Sequence, residues 1–366
     1  MTQTTDKIIF IMDGGGTGFK YSAVKDYKEI IEPIRIPAAS ENLDEILNKL
    51  IDGFKQVAQL SKTKPDAISF CFPGPADYEN GIIGDLENLP HCRGGIPLKA
   101  LLEEMFQVPV FINNDGDLFA YGEAISGLLP HANNLLKESN NPKQYRNLLG
   151  VTLGTGFGGG IVINGELLQG DNSASGEINR MRNVLYPETS VEDSVSIRGV
   201  KRVYAREAGL KTKDCPEAQL IYKIASGKHP GNRDAAIKAW DELAHVAADA
   251  IANASTLIDG LVVIGGGLSG AYPVFLDMLV NYMNQSFRDL QGQHVDRMEI
   301  KAYNLESSSG IQSFISKTGK LVKVPFTINE VWFDPEKKMG VGVSKLGTSS
   351  AVAVGAYAYA LQKLDS

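Results

Sequence analysis

The sequence predicts an α/β protein built from two copies of one unit. Two observations carry that prediction. The apolar stretch "KIIFIM" runs into "DGGGTG" and then "FKYSAV", and strand, Gly-Thr-Gly turn and strand recur in "NLLGVTLGTGFGGGIVINGELL". The first copy also heads a succession in βββαβαβ order, which describes a sheet with an antiparallel edge and a parallel remainder. The copies have diverged, yet two glycine turns behind apolar strands point to a duplicated domain whose turns face each other.

Each element follows from local pattern. "KIIFIMD", "FKYSAVKD" and "EIIEPIRIP" are rich in β-branched residues and joined by short turns, so each reads as a strand. In "NLDEILNKLIDGFKQVAQL", Leu43, Ile46, Leu47, Leu50, Ile51 and Phe54 return at helical spacing, which predicts an amphipathic helix. "AISFCF" is a strand ahead of a Pro-Gly-Pro turn, "PLKALLEEMF" a helix, "VPVFINND" a strand, and a helix begins near "DLFAYGEAISGLL". The Asn-rich "HANNLLKESNNPKQYRN" reads as a polar excursion over the surface. Later, the helices "AAIKAWDELAHVAADAIANASTLI" and "AYPVFLDMLVNYMNQSF" flank a third glycine cluster, "LVVIGGGLSG". Residues 305–343 read as strands and loops inserted before the closing helix "SSAVAVGAYAYALQKL".

Size and composition narrow the classes. A chain of 366 residues with 43% apolar and 22% charged content has ample material for a core and makes two domains the expectation. The net charge of −7 argues against a nucleic-acid partner, which calls for a basic face. No signal-peptide pattern opens the sequence, and "AVAVGAYAYAL" is too short to span a bilayer, so neither export nor a membrane partner is expected. Cys71, Cys92 and Cys215 are few and widely spaced, which suggests a reducing cytoplasm rather than disulfides or a CxxC-type zinc site. A homodimer is compatible with the sequence.

The glycine clusters carry the chemistry. "GTGFGG", from Gly154 to Gly159, has the GxGxxG spacing of a dinucleotide site, but that site needs a helix next, whereas "IVINGELLQG" is a strand ending in an Asn-Gly turn. "DGGGTG" fails likewise before "FKYSAV". A hairpin offers turn N–H groups and Thr hydroxyls as an anion cradle, and two of them could hold a polyphosphate from both sides. A pair of ordinary Gly-rich hairpins is the plainer alternative. Asp13 beside such a cradle would be repelled by phosphate unless Mg²⁺ stood between them, although an Asx turn is its bland alternative. Asp115 follows "VPVFINN" at the C-terminal end of a strand, where open α/β sheets place their sites. It suits a general base, or a mere helix cap.

In order, "DGGGTG", "NND" before a helix, "GTGFGGGIVINGELLQG" with "SGEI", "VEDSVS", "LVVIGGG" and a final Gly-Ala helix resemble the ROK sugar kinases, of the hexokinase–actin–Hsp70 superfamily. The resemblance covers nearly the whole chain apart from the polar excursion and the 305–343 insertion. It implies a two-lobed actin-like (ribonuclease H-like) ATPase fold of duplicated βββαβαβα domains with a cleft between them. The expected division is a small lobe of residues 1–118 joined by the C-terminal helix 346–366, and a large lobe of 119–345. It further implies an ATP- and Mg²⁺-dependent sugar kinase, glucokinase-like or N-acetylhexosamine kinase-like. Asp115 would take the proton of the attacking hydroxyl, Glu177 and Glu192 would grip sugar hydroxyls, and Gly74, Asn88 and Asn114 would line the other side of the sugar. Gly15, Gly16, Thr17, Gly154, Thr155 and Gly156 would face the ATP phosphates, with Gly265, Gly266 and Gly267 beside the nucleoside and Asp13 on the metal.

The match breaks at one place. Many ROK proteins continue "GEIGH" into a Cys-rich zinc loop, whereas this chain reads "GEINRM" with Asn179 and Arg180 there, and residues 181–191 hold no Cys or His. No zinc is therefore expected. Arg180 could contact an acidic or N-acyl substituent of the substrate, or pair with Glu177 or Glu192. Family repressors carry an N-terminal winged helix, and only "MTQTTDK" precedes the first strand here, so a repressor is not expected. Two other classes remain as alternatives: a non-catalytic sugar or nucleotide sensor on the same fold, and a nicotinamide-dependent oxidoreductase.

Overall fold

The computed structural model describes residues 5–15, 18–86 and 89–365. The chain divides into two compact units, Met1–Gly127 with Gly160–Gly176 and Lys345–Ser366, and Leu128–Gly159 with Glu177–Ser344. In the first, β1 (Ile8–Gly15) and β2 (Gly18–Lys25) pair antiparallel from Ile8↔Lys25 to Gly15↔Gly18. The short β3 (Lys28–Glu29) and β4 (Ile34–Pro37) both pair with β2. Helix α1 (Leu43–Ser61) starts where Asn42 accepts the Glu45 N–H, and it buries Ile46, Leu50, Ile51, Phe54 and Val57 at the spacing the sequence predicts.

β5 (Ala67–Cys71) lies parallel to β1. Three two-residue strands follow, β6 (Ala76–Asp77), β7 (Ile82–Ile83) and β8 (Ile96–Pro97), then α2 (Leu98–Phe106). β9 (Val110–Asn113) runs parallel to β5 and leads into α3 (Asp115–Ser126). The sheet order is β3-β2-β1-β5-β9, with β4 also on β2. Phe10, Tyr21, Phe54, Phe70 and Phe72 are fully buried between this sheet and its helices.

The second unit opens with α4 (Leu128–Glu138), in the segment expected to be a polar excursion. The polar residues His131, Asn133 and Asn134 conceal a buried stripe of Leu128, Leu129, Ala132 and Leu136, which wins because apolar burial outweighs helix propensity. β10 (Leu148–Leu153), β11 (Phe157–Ile163) and β12 (Glu166–Leu167) follow, the last two joined through Asn164 and Gly165 at φ 53° and 84°, the left-handed pair of a tight hairpin. A loop with 3₁₀ turns at Ile178–Arg180 and Val191–Asp193 leads to α5 (Ile197–Ala208), α6 (Ala218–Ala225) and the long α7 (Arg233–Ile258).

β13 (Leu261–Gly265) and α8 (Tyr272–Met283) come next, then a hairpin of β14 (Ser286–Arg288) and β15 (His294–Asp296), and β16 (Lys301–Asn304). Between residues 305 and 343 lie a helix, α9 (Ser308–Ile315), a hairpin of β17 (Lys320–Lys323) and β18 (Glu330–Phe333), and β19 (Lys338–Val343). The helix was not expected there. β19 stands inside the second sheet, parallel to β13 and to β16, in the order β12-β11-β10-β13-β19-β16. The chain ends in α10 (Thr348–Asp365), which returns to the first unit and packs on α3, where Gly122 and Gly355 let the two backbones meet. No helix among the described residues is long and apolar enough to cross a membrane.

Candidate functional site

The first unit gathers polar groups at the C-terminal ends of three adjacent parallel strands. Asp13 on β1 stands opposite Cys71 on β5, and Cys71 opposite Asn113 on β9. This is the edge at which open parallel sheets bind ligands. The Cys71 thiol donates to Asp13 Oδ1 at 3.3 Å and accepts the Gly14 N–H at 3.3 Å, while Ser349 Oγ donates to Asp13 Oδ2 at 3.3 Å. Burial, then the charges of Asp13 and Asp115, push the Cys71 thiol well above its ordinary range, so it stays a neutral donor. No cation pairs with Asp13 among the described residues. A carboxylate steadied by neutral donors and left without a counter-ion fits a magnesium ligand that shares the ion with phosphate oxygens.

Asn114, not Asp115, is the cap of α3. Its Oδ1 accepts the Gly116 N–H at 2.7 Å, and Asp115 Oδ1 accepts the same group at 2.9 Å while the residue remains exposed. Tyr78 donates to the Phe72 carbonyl at 2.9 Å and also bonds Asn114. A side chain at Gly74 would come within 3.1 Å of the Tyr78 hydroxyl, so Gly74 and Asn114 flank one tyrosine. Behind them, fully buried Asn113 accepts from Gln169 Nε2 at 2.6 Å, and Tyr359 donates to Gln169 Oε1 at 2.9 Å. Gly15 closes the β1–β2 ladder against Gly18. Gly16, Thr17 and Asn88 lie outside the described residues.

In the second unit the two remaining glycine clusters are stitched together. Gly154 N–H donates to the Gly156 carbonyl at 2.9 Å, and Leu268 N–H donates to the Leu153 carbonyl at 2.9 Å. Thr152 faces Gly265 in the β10–β13 register, and Gly266, at φ 85°, lies so close that a side chain there would overlap the Leu153 carbonyl. Gly154 and Gly267 differ. A side chain at either would meet nothing within 4 Å, and neither has a positive φ, so nothing in the protein itself requires glycine there. Thr155, next to Gly154, is exposed. Bare backbone facing open space fits the close approach of a nucleotide.

Glu192 belongs to this cluster. Its Oε2 accepts the Phe157 N–H at 3.1 Å and fills the space a Gly156 side chain would need, and its Oε1 lies 3.4 Å from Arg198 Nη2. Glu177 is exposed at the start of the same loop. Arg180 is exposed and makes no ion pair among the described residues, so the expected alternatives with Glu177 or Glu192 are not formed. Among the described residues no group of three or more His, Cys, Asp or Glu could hold a metal ion. Sequence reasoning did not identify Cys71, Ser349, Gln169 or Arg198, whose roles depend on long-range pairing.

Fold and site together define a class, the two-domain actin-like sugar kinases. The chain belongs to the ROK family, whose sequence pattern matches residues 10–315. A solved glucokinase from Parabacteroides distasonis is 49% identical, with a TM-score of 0.89 over 99% of both chains. A glucokinase from Halalkalibacterium halodurans is 28% identical over 82% of this chain and 91% of its own. An N-acetyl-D-glucosamine kinase from Yersinia pseudotuberculosis is 25% identical over 73% of this chain and 86% of its own.

Proposed function

We propose that this chain uses MgATP to phosphorylate a hydroxyl of a neutral hexose, with D-glucose as the first candidate and N-acetyl-D-glucosamine as the second. The observation that carries this reading is the row of Asp13, Cys71 and Asn113 on adjacent strand ends, with the exposed Asp115 two residues further on. The names of the relatives support the choice of sugars, since the 49% identical structure is a glucokinase.

Asp115 is the general base. The residue is exposed, and its Oδ1 accepts the Gly116 N–H, which sets the carboxylate at the head of α3 where it can meet a hydroxyl. Phosphoryl transfer asks mainly for positioning and charge neutralisation, so one such base suffices. Glu177 and Glu192 accept from sugar hydroxyls, and a charged acceptor holds a neutral polyol by strong directional bonds. The turn at Gly154, Thr155 and Gly156 lies against phosphate, Gly267 leaves room for the nucleoside beside Gly265 and Gly266, and Asp13 would hold the metal. A divalent ion there would supply charge neutralisation for the phosphate oxygens.

The test is a panel of neutral and acidic sugars with ATP and Mg²⁺, following ADP release. Turnover with glucose or N-acetylglucosamine is expected. Sugar binding by calorimetry without turnover on any of them would make the protein a sensor instead.

A further inference from the structure

The proposed chemistry uses Glu177 and Glu192 but not the residues that hold the loop between them. That loop closes on itself as a clasp. Val191 N–H donates to the Met181 carbonyl at 2.9 Å, Asn183 N–H to the Thr189 carbonyl at 3.0 Å, and Arg182 pairs with Ser190 as an antiparallel bridge. Glu177 stands at one root, Glu192 at the other, and Tyr186 at the tip. Asn183, fully buried, accepts the Leu185 and Tyr186 N–H groups at 3.0 and 3.2 Å and donates to Ser194 Oγ at 3.0 Å.

One buried carboxylate on α7 holds tip and root at once. The Glu242 side chain is 8% exposed. Its Oε1 accepts from Arg202 Nη2 at 2.7 Å and Ser194 Oγ at 2.9 Å, and its Oε2 from Tyr186 Oη at 3.0 Å and Arg206 Nη2 at 3.3 Å. Arg206 Nη1 also donates to Tyr186 Oη at 2.9 Å, and the Arg202 guanidinium stands 5.2 Å from the Tyr186 ring. A carboxylate offers about four acceptor sites, and all four are filled here. Such a buried cluster is a poor source of stability, because well-packed apolar residues commonly do as well or better. Its distinctive product is geometry. Two donors come from α5, one from the tip of the clasp, and one from Ser194, two residues past the Glu192 root.

We propose that Glu242 is a positioning residue for the sugar site, fixing the clasp so that Glu177 and Glu192 hold their spacing before sugar arrives. The proposal rests on the assignment of those glutamates to sugar binding. Preorganisation lowers the ordering cost of binding, so loosening the clasp weakens sugar affinity with little effect on MgATP.

The experiment compares wild type, Tyr186→Phe, Glu242→Gln, the double variant Glu242→Met/Arg202→Met, and Glu192→Gln. Calorimetry with D-glucose and N-acetyl-D-glucosamine is read beside KM for sugar, KM for MgATP, thermal melting and amide exchange of residues 181–195. Tyr186→Phe should raise sugar KM about threefold, and the Glu242 variants about tenfold or more, as expected for one and for several lost bonds. MgATP KM should stay within about twofold. The double variant leaves no unpaired buried charge between the two sites and should melt no lower than Glu242→Gln, yet still exchange faster in the clasp and bind sugar weakly. A folded double variant with wild-type sugar KM and exchange would overturn the proposal. Unchanged sugar binding in Glu192→Gln would remove that glutamate's assignment and this proposal with it, whereas weak binding there beside normal binding in the double variant would remove the clasp alone.

Discussion

The carboxylate of Glu192 occupies the space that a side chain at Gly156 would need, and it accepts the N–H of Phe157, the next residue, at 3.1 Å. A residue assigned to the sugar thus leans on the turn assigned to phosphate. Gly156→Ala should push Glu192 off this seat and lower kcat/KM for the sugar by about tenfold or more, since charge-assisted bonds are the strong ones. Steady-state kinetics with each substrate varied in turn checks this, and KM for both should rise. Unaltered kinetics would detach Glu192 from the turn.

Asp13 and Ser349 lead to a prediction about the metal. Asp13→Asn keeps the shape but removes the charge, so the Mg²⁺ concentration for half-maximal turnover should rise at least tenfold at fixed ATP. Ser349→Ala, which loses one neutral donor at 3.3 Å, should shift it by no more than about threefold. A magnesium titration of both variants decides it, and equal responses would place the ion elsewhere.

Cys71 predicts a pH dependence of stability. The folded thiol keeps its proton above the ordinary 9.0, mainly through burial, while the unfolded one loses it. Its contribution is therefore whole below about pH 9 and is lost above it, at up to about 1.4 kcal/mol per pH unit. Cys71→Ala should lower stability at pH 7 and flatten the alkaline fall. Denaturant melts of both proteins from pH 7 to 10.5 give the two slopes, and parallel slopes would contradict the assignment.

How much of this was legible in sequence depends on the range of the forces involved. The α1 stripe and the Asn164-Gly165 turn are local, and both appear as the pattern predicts. The strand after Gly159 is local too, and it separates this turn from a dinucleotide fingerprint. α4 was missed because its asparagines and histidine masked four buried apolar positions. β19, "KMGVGV", carries two glycines and becomes a strand only because β13 and β16 pair with it from either side. Gly154 and Asp115 were readable as single residues beside a strand end. The contacts that support the site were not, since Cys71 meets Asp13 across 58 residues and Ser194 meets Glu242 across 48.

Glu177 and Asp115 should separate binding from chemistry. Glu177→Gln removes the charge of an acceptor but not its shape, so sugar affinity and turnover should both fall, by about tenfold for a charge-assisted bond. Calorimetry beside turnover checks it. Full affinity in this variant would leave Glu177 outside the sugar site.

The most direct test of the account is Asp115→Asn, with calorimetric sugar binding and steady-state turnover measured on the same preparation. The amide still accepts a hydrogen bond but cannot take the hydroxyl proton. Turnover should fall by about 10²–10⁴-fold while sugar affinity changes by no more than a few-fold. Turnover at the wild-type rate would contradict the assignment of Asp115 as the base, and with it the catalytic account of the site.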